Sequence, residues 1–480
     1  MRLKNKDRAP VEAGNTAPNG RDTMDMTQGN PVSMIVAFSL PIFLSQVFQQ
    51  LYNTADSLIV GNFLGTSALA AVSSSGTLIF LFIGFFTGLT MGAGVVIGKY
   101  FGAGDDANVS RAIHANLFVG LVSGAFLTVA GVVLTPTLLR WMNTDEQYMS
   151  EAVEYFRWYF AGSVAMVMYN AFKATMNALG DAKRPLYYLI FSSLLNIGLD
   201  LLFIGVFGWG VWSAAVATVI SQLASCVLCV IRMVSPDYAY RVSLKKLRPD
   251  GKMLREIIRI GVPSGVQNSV IGLANVIVQS QINTFKQDAT AAFGTHAKIE
   301  GFAFLPITSF NMAITTYVSQ NLGAGLYDRA KKGARFGIIA AVVSAELIGV
   351  IYYFGAEWLI SLFDDSPAVI AYGASQAHIV TLFYCLLAFS HSVASVCRGA
   401  GKAVVPMAVM LCVWCIIRVA YIFLVMKLFN DIKLIYWAYP ITWGISSVIY
   451  LFYYLFADWV HGFEGKKPRQ SRKHKSFLAK

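Results

Sequence analysis

Long apolar runs recur along the whole chain, and they constrain the fold more than any other feature of the sequence. Examples are 78–97, 118–139 and 404–417. A run that approaches or exceeds about 18 apolar residues is typical of a helix that spans a bilayer. Only 13% of the residues are charged, whereas soluble domains average about 25%. The sequence therefore predicts an all-α, polytopic membrane protein.

The apolar runs and their extensions divide into about twelve predicted spans. In chain order they are 34–60, 68–99, 112–139, 152–178, 185–206, 210–231, 256–284, 290–320, 334–361, 368–396, 404–427 and 434–458. Six spans form an N-lobe over 34–231 and six form a C-lobe over 256–458. A polar crossover linker, 232–255, joins the lobes. The flanking segments 1–33 and 459–480 are expected to be tails, the first disordered and the second basic.

One set of marks occurs twice, 221 or 222 residues apart. The pairs are Pro41 and Pro263, Gly102-Ala103-Gly104 and Gly323-Ala324-Gly325, Gly180 and Gly401, and Pro185 and Pro406. Because each copy contains six spans, both copies start on the same side of the membrane, and the repeat is a parallel one. Repeats of this kind place the substrate site of a transporter between the halves. The duplication therefore predicts two six-helix lobes around a central cavity.

The net charge of +12 would suit a nucleic-acid partner, but its distribution indicates a topology signal instead. Most of the 38 lysines and arginines lie in or beside loops and tails on one side of the predicted bundle. The outer loops hold only Arg140, Lys286, Lys427 and Lys433. This bias predicts that the linker and both termini are cytoplasmic. We expect the basic segments to contact the lipid bilayer, and we expect no nucleic-acid partner.

Span one carries four polar residues on one predicted helical face. They are Gln46, Gln49, Asn53 and Asp56. Steps of three and four residues keep side chains on the same side of a helix, so this face should line a cavity or pack on other helices. A charge at mid-membrane costs roughly 2.5–3.5 kcal/mol on insertion scales. We weigh a functional role for Asp56 against a carboxylate that is only hydrogen-bonded or hydrated.

Three further oxygen-bearing residues lie at a similar predicted depth in the N-lobe. Asn196 and Asp200 are four residues apart in span five, and Thr218 lies in span six. The helical rise places Asp56 and Asp200 both roughly 8 Å below the outer turns that follow them. Oxygen ligands suit a hard cation such as Na⁺, and paired carboxylates suit a proton site. These residues are the candidate cation or proton site, provided that spans one, five and six are neighbours.

The C-lobe repeats the amide stripe but not the acid. Asn268, Asn275 and Gln279 lie within span seven, and Val278 stands where the repeat would place an acid. Glu300 in span eight belongs to a polar patch, for which we weigh a substrate contact against a packing network. With the amides of span one, these residues are the candidate lining of a substrate cavity.

No motif in the sequence indicates an enzyme. We find no Walker sequence for ATP, no paired His/Cys ligand set and no selectivity-filter signature. We therefore expect no metal cofactor and no other cofactor, apart from H⁺ or Na⁺ as a coupling ion. Transport driven by an ion gradient is the function that best fits a duplicated bundle with internal carboxylates.

The marks together resemble the multidrug and toxic compound extrusion (MATE) family. They are the span from Pro41 to Asp56, the turn 102–104, the loop Asn177-Ala178-Leu179-Gly180-Asp181 with Pro185, and the opening Pro263-Ser264-Gly265 with Gln267. The resemblance covers roughly residues 30–460. It implies a V-shaped cavity between the lobes and antiport of organic cations or drugs against H⁺ or Na⁺.

The resemblance also implies roles for residues of the N-lobe. Asp56 resembles the family's acid in span one, and Asn196, Asp200 and Thr218 resemble members of its cation site. The chain lacks the acids that some branches of the family carry in spans seven or ten, which favours coupling through the N-lobe. We expect a monomer in a bacterial-type inner membrane.

Two other functions stay open from the sequence. A flippase for lipid-linked oligosaccharides belongs to the same wider superfamily, but it would favour a strongly cationic cavity and more spans. A passive channel belongs to another class, and single-channel currents would support it.

Overall fold

The computed structural model describes residues 23–141, 146–285 and 287–463, without the side chains of residue 244 and of most of residues 66–83. Residues 1–22, which were predicted to be disordered, lie outside the described residues. So do residues 464–480 of the basic tail and Lys286 of an outer loop.

Within the described residues the chain forms twelve helices. In chain order they are α1 (Pro31–Gly65), α2 (66–102), α3 (Asp106–Trp141), α4 (146–178), α5 (Lys183–Val206), α6 (Trp212–Val234), α7 (Gly251–Ile282), α8 (Gln287–Gly323), α9 (Tyr327–Ser361), α10 (Pro367–Gly399), α11 (Val404–Phe429) and α12 (Ile432–Phe456). A short 3₁₀ turn, Leu244–Lys246, lies in the linker. The predicted all-α architecture of about twelve spans is confirmed.

Eight of these helices are long and apolar enough to cross a membrane by length and composition alone. The other four helices, α2, α4, α7 and α8, pack among them and complete the two groups of six. Helix α4 is divided at Gly162 into Glu146–Ala161 and Ser163–Ala178. Helices α5 and α11 contain π-helical segments, Leu201–Val206 and Leu411–Ile417.

Glycines with positive φ lie at the kink between α1 and α2 and at the repeated turns. Helices α1 and α2 are separated only by a kink at Gly65, where φ is 87°, a conformation that L side chains rarely adopt. The repeated turns match in backbone geometry, since φ is 68° at Gly104 and 73° at Gly325, and 84° at Gly180 and 75° at Gly401. We call the end of the bundle that carries these four turns the inner end, and the opposite end the outer end.

Side-chain caps begin several helices at the inner end. Asn30 accepts a hydrogen bond from the N–H of Val32 at the start of α1. Asp250 accepts from the N–H groups of Lys252 and Met253 at the start of α7, which satisfies donors that have no partner within the helix. The hydrogen bond from Arg111 to Asp250 lowers the pKa of this carboxyl group. The crossover linker is thereby fastened to α3.

The segment before α1 is ordered. Met26 is fully buried, and its N–H donates to Gln320 Oε1 at 3.0 Å. The predicted disordered tail is therefore wrong for residues 23–33. A run without an apolar core was expected to stay unfolded, but here side chains from distant helices satisfy its backbone groups.

Each lobe has its own apolar core. The C-lobe core is continuous and includes Val278, Ile360 and Tyr436. In the N-lobe, one cluster includes Val60, Phe156 and Ile204. A second cluster includes Ile97 and Phe172 and extends to Ile257 of α7. The lobes meet where α1 and α2 face α7 and α8.

Small residues bring the backbones of α2 and α7 together at this junction. A β-carbon added at Gly88 would lie 2.3 Å from the backbone nitrogen of Gly265, and one at Gly92 would lie 2.3 Å from that of Gly261. Within a membrane, such close approach is a main source of helix association, because lipid is as apolar as the helices themselves. The lobes are thus joined by backbone contact along α2 and α7.

We predict that Gly92→Ala destabilises the protein, because the new methyl group cannot be accommodated without moving a helix backbone. Overpacking of this kind costs about 1–3 kcal/mol. Gly84→Ala is the matched control, since a β-carbon there would lie 3.7 Å from the nearest atom, Cβ of Asn268. Thermal unfolding of the purified variants in detergent should show a lower midpoint for Gly92→Ala alone. Equal midpoints would contradict the close-contact interpretation.

Candidate functional site

The four residues of the candidate cation or proton site lie together in the interior of the N-lobe. They are Asp56 on α1, Asn196 and Asp200 on α5, and Thr218 on α6. All four are buried, with exposed fractions between 0% and 9%. Helix α5 packs against both α1 and α6, and Tyr52 of α1 reaches Thr218 of α6, which the sequence alone did not establish.

Asn196 connects α5 to α6 at the centre of the site. With its amide turned so that both ends are satisfied, it donates to Asp200 Oδ2 at 2.9 Å and accepts from the N–H of Thr218 at 3.2 Å. Its amide also lies 3.4 Å from Thr218 Oγ1. Asn196 therefore orients one carboxylate and holds the first turns of α6 against α5.

The carboxyl groups of Asp56 and Asp200 lie close enough for a shared proton to form a hydrogen bond between them. Oδ1 of each residue is buried and has no hydrogen-bond partner among the described residues. No described lysine or arginine forms an ion pair with either group. Repulsion makes it costly for two carboxylates this close to be ionised at the same time. The pair is stable when it shares a proton or binds a metal cation. The arrangement is chemically suited to hold one or the other.

The unpartnered oxygens also fit the chemistry of a hard cation. Na⁺ takes oxygen ligands, as Ca²⁺ and Mg²⁺ do, and this pocket offers carboxyl, amide and hydroxyl oxygens. The π-helical segment Leu201–Val206 begins directly after Asp200. Such segments are frequent at functional sites, because they displace the local register of a helix. The backbone beside Asp200 is thus already distorted from regular α-helix.

Tyr52 is a member of the site that the sequence analysis missed. Its hydroxyl lies 3.3 Å from Thr218 Oγ1. It stands four residues before Asp56, and this i, i+4 relation could have identified it. Aromatic residues are abundant in membrane helices, so a tyrosine in a span does not by itself indicate a functional site.

The polar stripe of span one divides into two parts in the structure. Asp56 faces the interior of the N-lobe, whereas Asn53 is exposed. The face that was expected to line a cavity or to pack on other helices is thus partly buried and partly exposed. At about 100° per residue, Asp56 lies roughly 80° around the helix axis from Gln46, which is enough to turn it from the cleft into the lobe.

The rest of the stripe faces the C-lobe. Gln46 donates to Ser309 Oγ at 2.9 Å, and its Oε1 accepts from Thr308 Oγ1 at 2.5 Å. One and two turns further out, Gln49 donates to Asn53 at 3.4 Å and the pair is exposed. Gln46 thus contacts the C-lobe, whereas the outer residues of the stripe are exposed.

The amides of α7 follow the same course. Asn268 donates to the carbonyl of Gly84 on α2 at 3.2 Å. Further out, Asn275 is exposed, and Gln279 donates to Asn283 at 2.7 Å. The amides of α1 and α7 therefore contact the opposite lobe at mid-depth and are exposed further out. The duplication predicts the central cavity beside these exposed amides.

Glu300 lies apart from the amides, in a polar region of the C-lobe near Tyr384 and Arg418. Arg418 is buried and donates from Nε and Nη2 to Thr442 Oγ1 at 3.1 and 2.8 Å. Its guanidinium also lies over the ring of Tyr439, 4.5 Å from the centroid. The C-lobe therefore contains a fixed cation, where the N-lobe contains a pair of acids.

The MatE family model matches the chain twice, over residues 41–202 and 263–424. The chain is a member of the MATE family. One matched segment lies within each lobe, and the match confirms the resemblance found in the sequence.

Similar MATE proteins occur in several bacteria. The probable multidrug resistance protein YoeA of Bacillus subtilis is 28% identical over 87% of this chain and 92% of its own length. The probable multidrug resistance protein NorM of Thermotoga maritima is 26% identical over 78% of this chain and 81% of its own length. A MATE transporter solved in an outward-facing conformation superposes with a TM-score of 0.85 at 21% identity, covering 91% of this chain and 98% of that one. The protein is a multi-pass membrane transporter with the MATE fold.

We predict that Thr218→Val destabilises the N-lobe, because it removes the hydroxyl that lies beside Tyr52 and Asn196 while preserving side-chain shape. A buried polar group left without its partner costs about 1–3 kcal/mol. Thr218→Ser is the matched control, since it keeps the hydroxyl. The midpoint of thermal unfolding should fall for the valine variant and stay near the wild-type value for serine. A valine variant as stable as the wild type would show that this hydroxyl holds nothing in place.

Proposed function

We propose that this transporter is a secondary active antiporter that exports organic cations or drugs in exchange for H⁺ or Na⁺. Coupling runs through Asp56, Asn196, Asp200 and Thr218. The observation that carries the proposal is the contact between two buried carboxyl groups that have no cationic partner among the described residues. The multidrug resistance names of its relatives support the class of substrate.

The coupling ion changes the charge balance inside the N-lobe. With a proton or Na⁺ bound, the negative charges of Asp56 and Asp200 are compensated and the helices α1 and α5 can stay in contact. When the ion leaves, repulsion between the carboxylates favours a different arrangement of these helices. An ion gradient drives transport only if ion and substrate differ in their affinity for the two arrangements. To move an equilibrium from 1:99 to 99:1, that difference must reach about 5.5 kcal/mol.

The cavity between the lobes is the proposed substrate path. Its candidate lining residues are Gln46, Gln49, Asn53, Asn268, Asn275, Gln279 and Glu300. Amides can bind varied substrates, because each side chain offers both a donor and an acceptor. Glu300 would contribute the negative charge that attracts an organic cation, with Arg418 as its counter-charge in the empty cavity.

The proposed orientation places the inner end in the cytoplasm. The basic residues of the linker and of the turns lie at this end, in agreement with the positive-inside rule. In a bacterial-type inner membrane, the cavity would then open away from the cytoplasm in the conformation described above. One copy of the chain contains both lobes and the complete site, so the proposal needs only a monomer.

We predict that Asp56→Asn and Asp200→Asn each reduce gradient-driven efflux at least about tenfold, since each removes a charge that the ion must compensate. The measurement is efflux of ethidium from loaded proteoliposomes after an H⁺ or a Na⁺ gradient is imposed. Glu357→Gln is the matched control, because Glu357 is an exposed acid on α9. Efflux that persists in Asp56→Asn would overturn the assignment of this residue.

The same vesicles identify the coupling ion. At equal pH on both sides, a Na⁺ gradient should drive efflux if Na⁺ is the coupling ion. Without Na⁺, only a pH gradient should do so if the ion is H⁺. Efflux that is unaffected by either gradient, in vesicles where ionic currents are measured, would support a passive channel instead.

A further inference from the structure

Residues 24–29, which we call the N-terminal strap, cross the inner end from one lobe to the other. At one end of the strap, the N–H of Met24 donates to the carbonyl of Gly180 at 3.2 Å. Two residues later, the N–H of Met26 donates to Gln320 Oε1 at 3.0 Å. Gly180 belongs to the turn between α4 and α5 of the N-lobe, and Gln320 belongs to α8 of the C-lobe. The strap is therefore bonded to both lobes.

Arg329 holds the strap from the C-lobe side. Its Nη1 donates to the carbonyl of Gly29 at 2.6 Å, and its Nη2 donates to the carbonyls of Gln28 at 2.5 Å and Met26 at 3.1 Å. The carbonyl of Met26 also accepts from Asn321 Nδ2 at 3.1 Å. A guanidinium presents its donors as a rigid fork, which a lysine ammonium cannot reproduce. Charge-assisted bonds of this kind are stronger than neutral ones.

The groove beneath the strap is shaped to its backbone. Met26 is fully buried in an apolar cluster with Phe38 of α1, Ala182 of the N-lobe turn and Tyr317 of α8. A β-carbon added at Gly180 would lie 2.0 Å from the carbonyl oxygen of Met24. The strap thus packs on residues of both lobes, in addition to its hydrogen bonds.

The strap lies where the two lobes also contact each other directly. Gln320 Nε2 donates to the carbonyl of Ala178 in the N-lobe at 2.8 Å, so one side chain links both lobes and the strap. Nearby, Lys99 Nζ of α2 lies 3.0 Å from Glu256 Oε2 of α7, and Tyr100 donates to the same carboxylate at 2.9 Å. These contacts hold the two lobes together at the inner end.

We propose that the N-terminal strap, clamped by Arg329, is a latch that holds the inner ends of the two lobes together and must be released before the cavity opens toward the inner side. This inference concerns the regulation of the proposed transport cycle and rests on that function. Movement of the N-lobe turn away from α8 would pull Gly180 and Gln320 apart. The strap cannot stay bonded to both when that happens.

Hydrogen–deuterium exchange of the full-length protein tests the latch without any transport measurement. The variants are Arg329→Ala and Arg329→Lys, and Lys332→Ala is the matched control on the exposed face of the same helix. The amides to follow are those of Asp181 in the N-lobe turn and Leu326 in the C-lobe turn, which bond to the carbonyls of Met176 and Asn321. We expect both to exchange about tenfold faster or more in Arg329→Ala and Arg329→Lys, since loss of bonds to a charged group is worth at least that factor.

Faster exchange confined to residues 24–29, with Asp181 and Leu326 unchanged, would overturn the latch and leave the strap as a local attachment. Met26→Ala provides a second route if Arg329→Ala does not fold, because it weakens the apolar contact and keeps the guanidinium. It should accelerate exchange at both turns as well. Hydrogen–deuterium exchange does not depend on transport, so it tests the latch alone. Efflux measured with Asp56→Asn tests the proposed antiport, and the two proposals can therefore fail separately.

Discussion

In the proposed transport cycle, the contact between Asp56 and Asp200 is the interaction on which the other movements depend. Both groups are buried in a lobe whose surroundings are apolar, and neither has a described basic partner. An uncompensated charge in such a place costs several kcal/mol, so the pair is stable only with a proton or a cation. Asn196, Thr218 and Tyr52 hold the three helices in the arrangement that keeps the carboxyl groups together. In the proposed cycle, the bound ion therefore stabilises this arrangement of helices. When the ion leaves, repulsion between the carboxylates favours another arrangement.

The two lobes share a pattern but differ in what they hold at their centres. Repeated turns at Gly104 and Gly325 have the same backbone conformation, and the amides of α1 and α7 lie on matching faces. The N-lobe interior holds two acids, whereas the C-lobe interior holds Arg418, a cation that does not lose its charge. The lobes are joined by backbone contacts along α2 and α7 and, at the inner end, by the strap. In the proposed cycle the coupling ion acts on the acid pair of the N-lobe, while the C-lobe keeps one acid, Glu300, close to Arg418.

Much of the fold follows from local sequence. Apolar runs predict the helices, the turn glycines and prolines reveal the duplication, and depth along each helix placed Asp56 and Asp200 at one level. Proximity between helices was not available from these signals, because a single sequence does not show which spans are neighbours. For the same reason the sequence did not identify Tyr52 as a neighbour of Thr218. The strap was predicted to be disordered because its order depends on Gln320 and Arg329, about 300 residues away in the chain.

The most direct test of the central claim is the release of protons when substrate binds. Purified protein in weakly buffered, Na⁺-free solution would be mixed with tetraphenylphosphonium, and a pH-indicator dye would record the change. Without Na⁺ the carboxyl pair must hold a proton, so the account predicts proton release from the wild type and none from the double variant Asp56→Asn/Asp200→Asn. Release of the same size from both proteins, with equal binding of the cation, would contradict it.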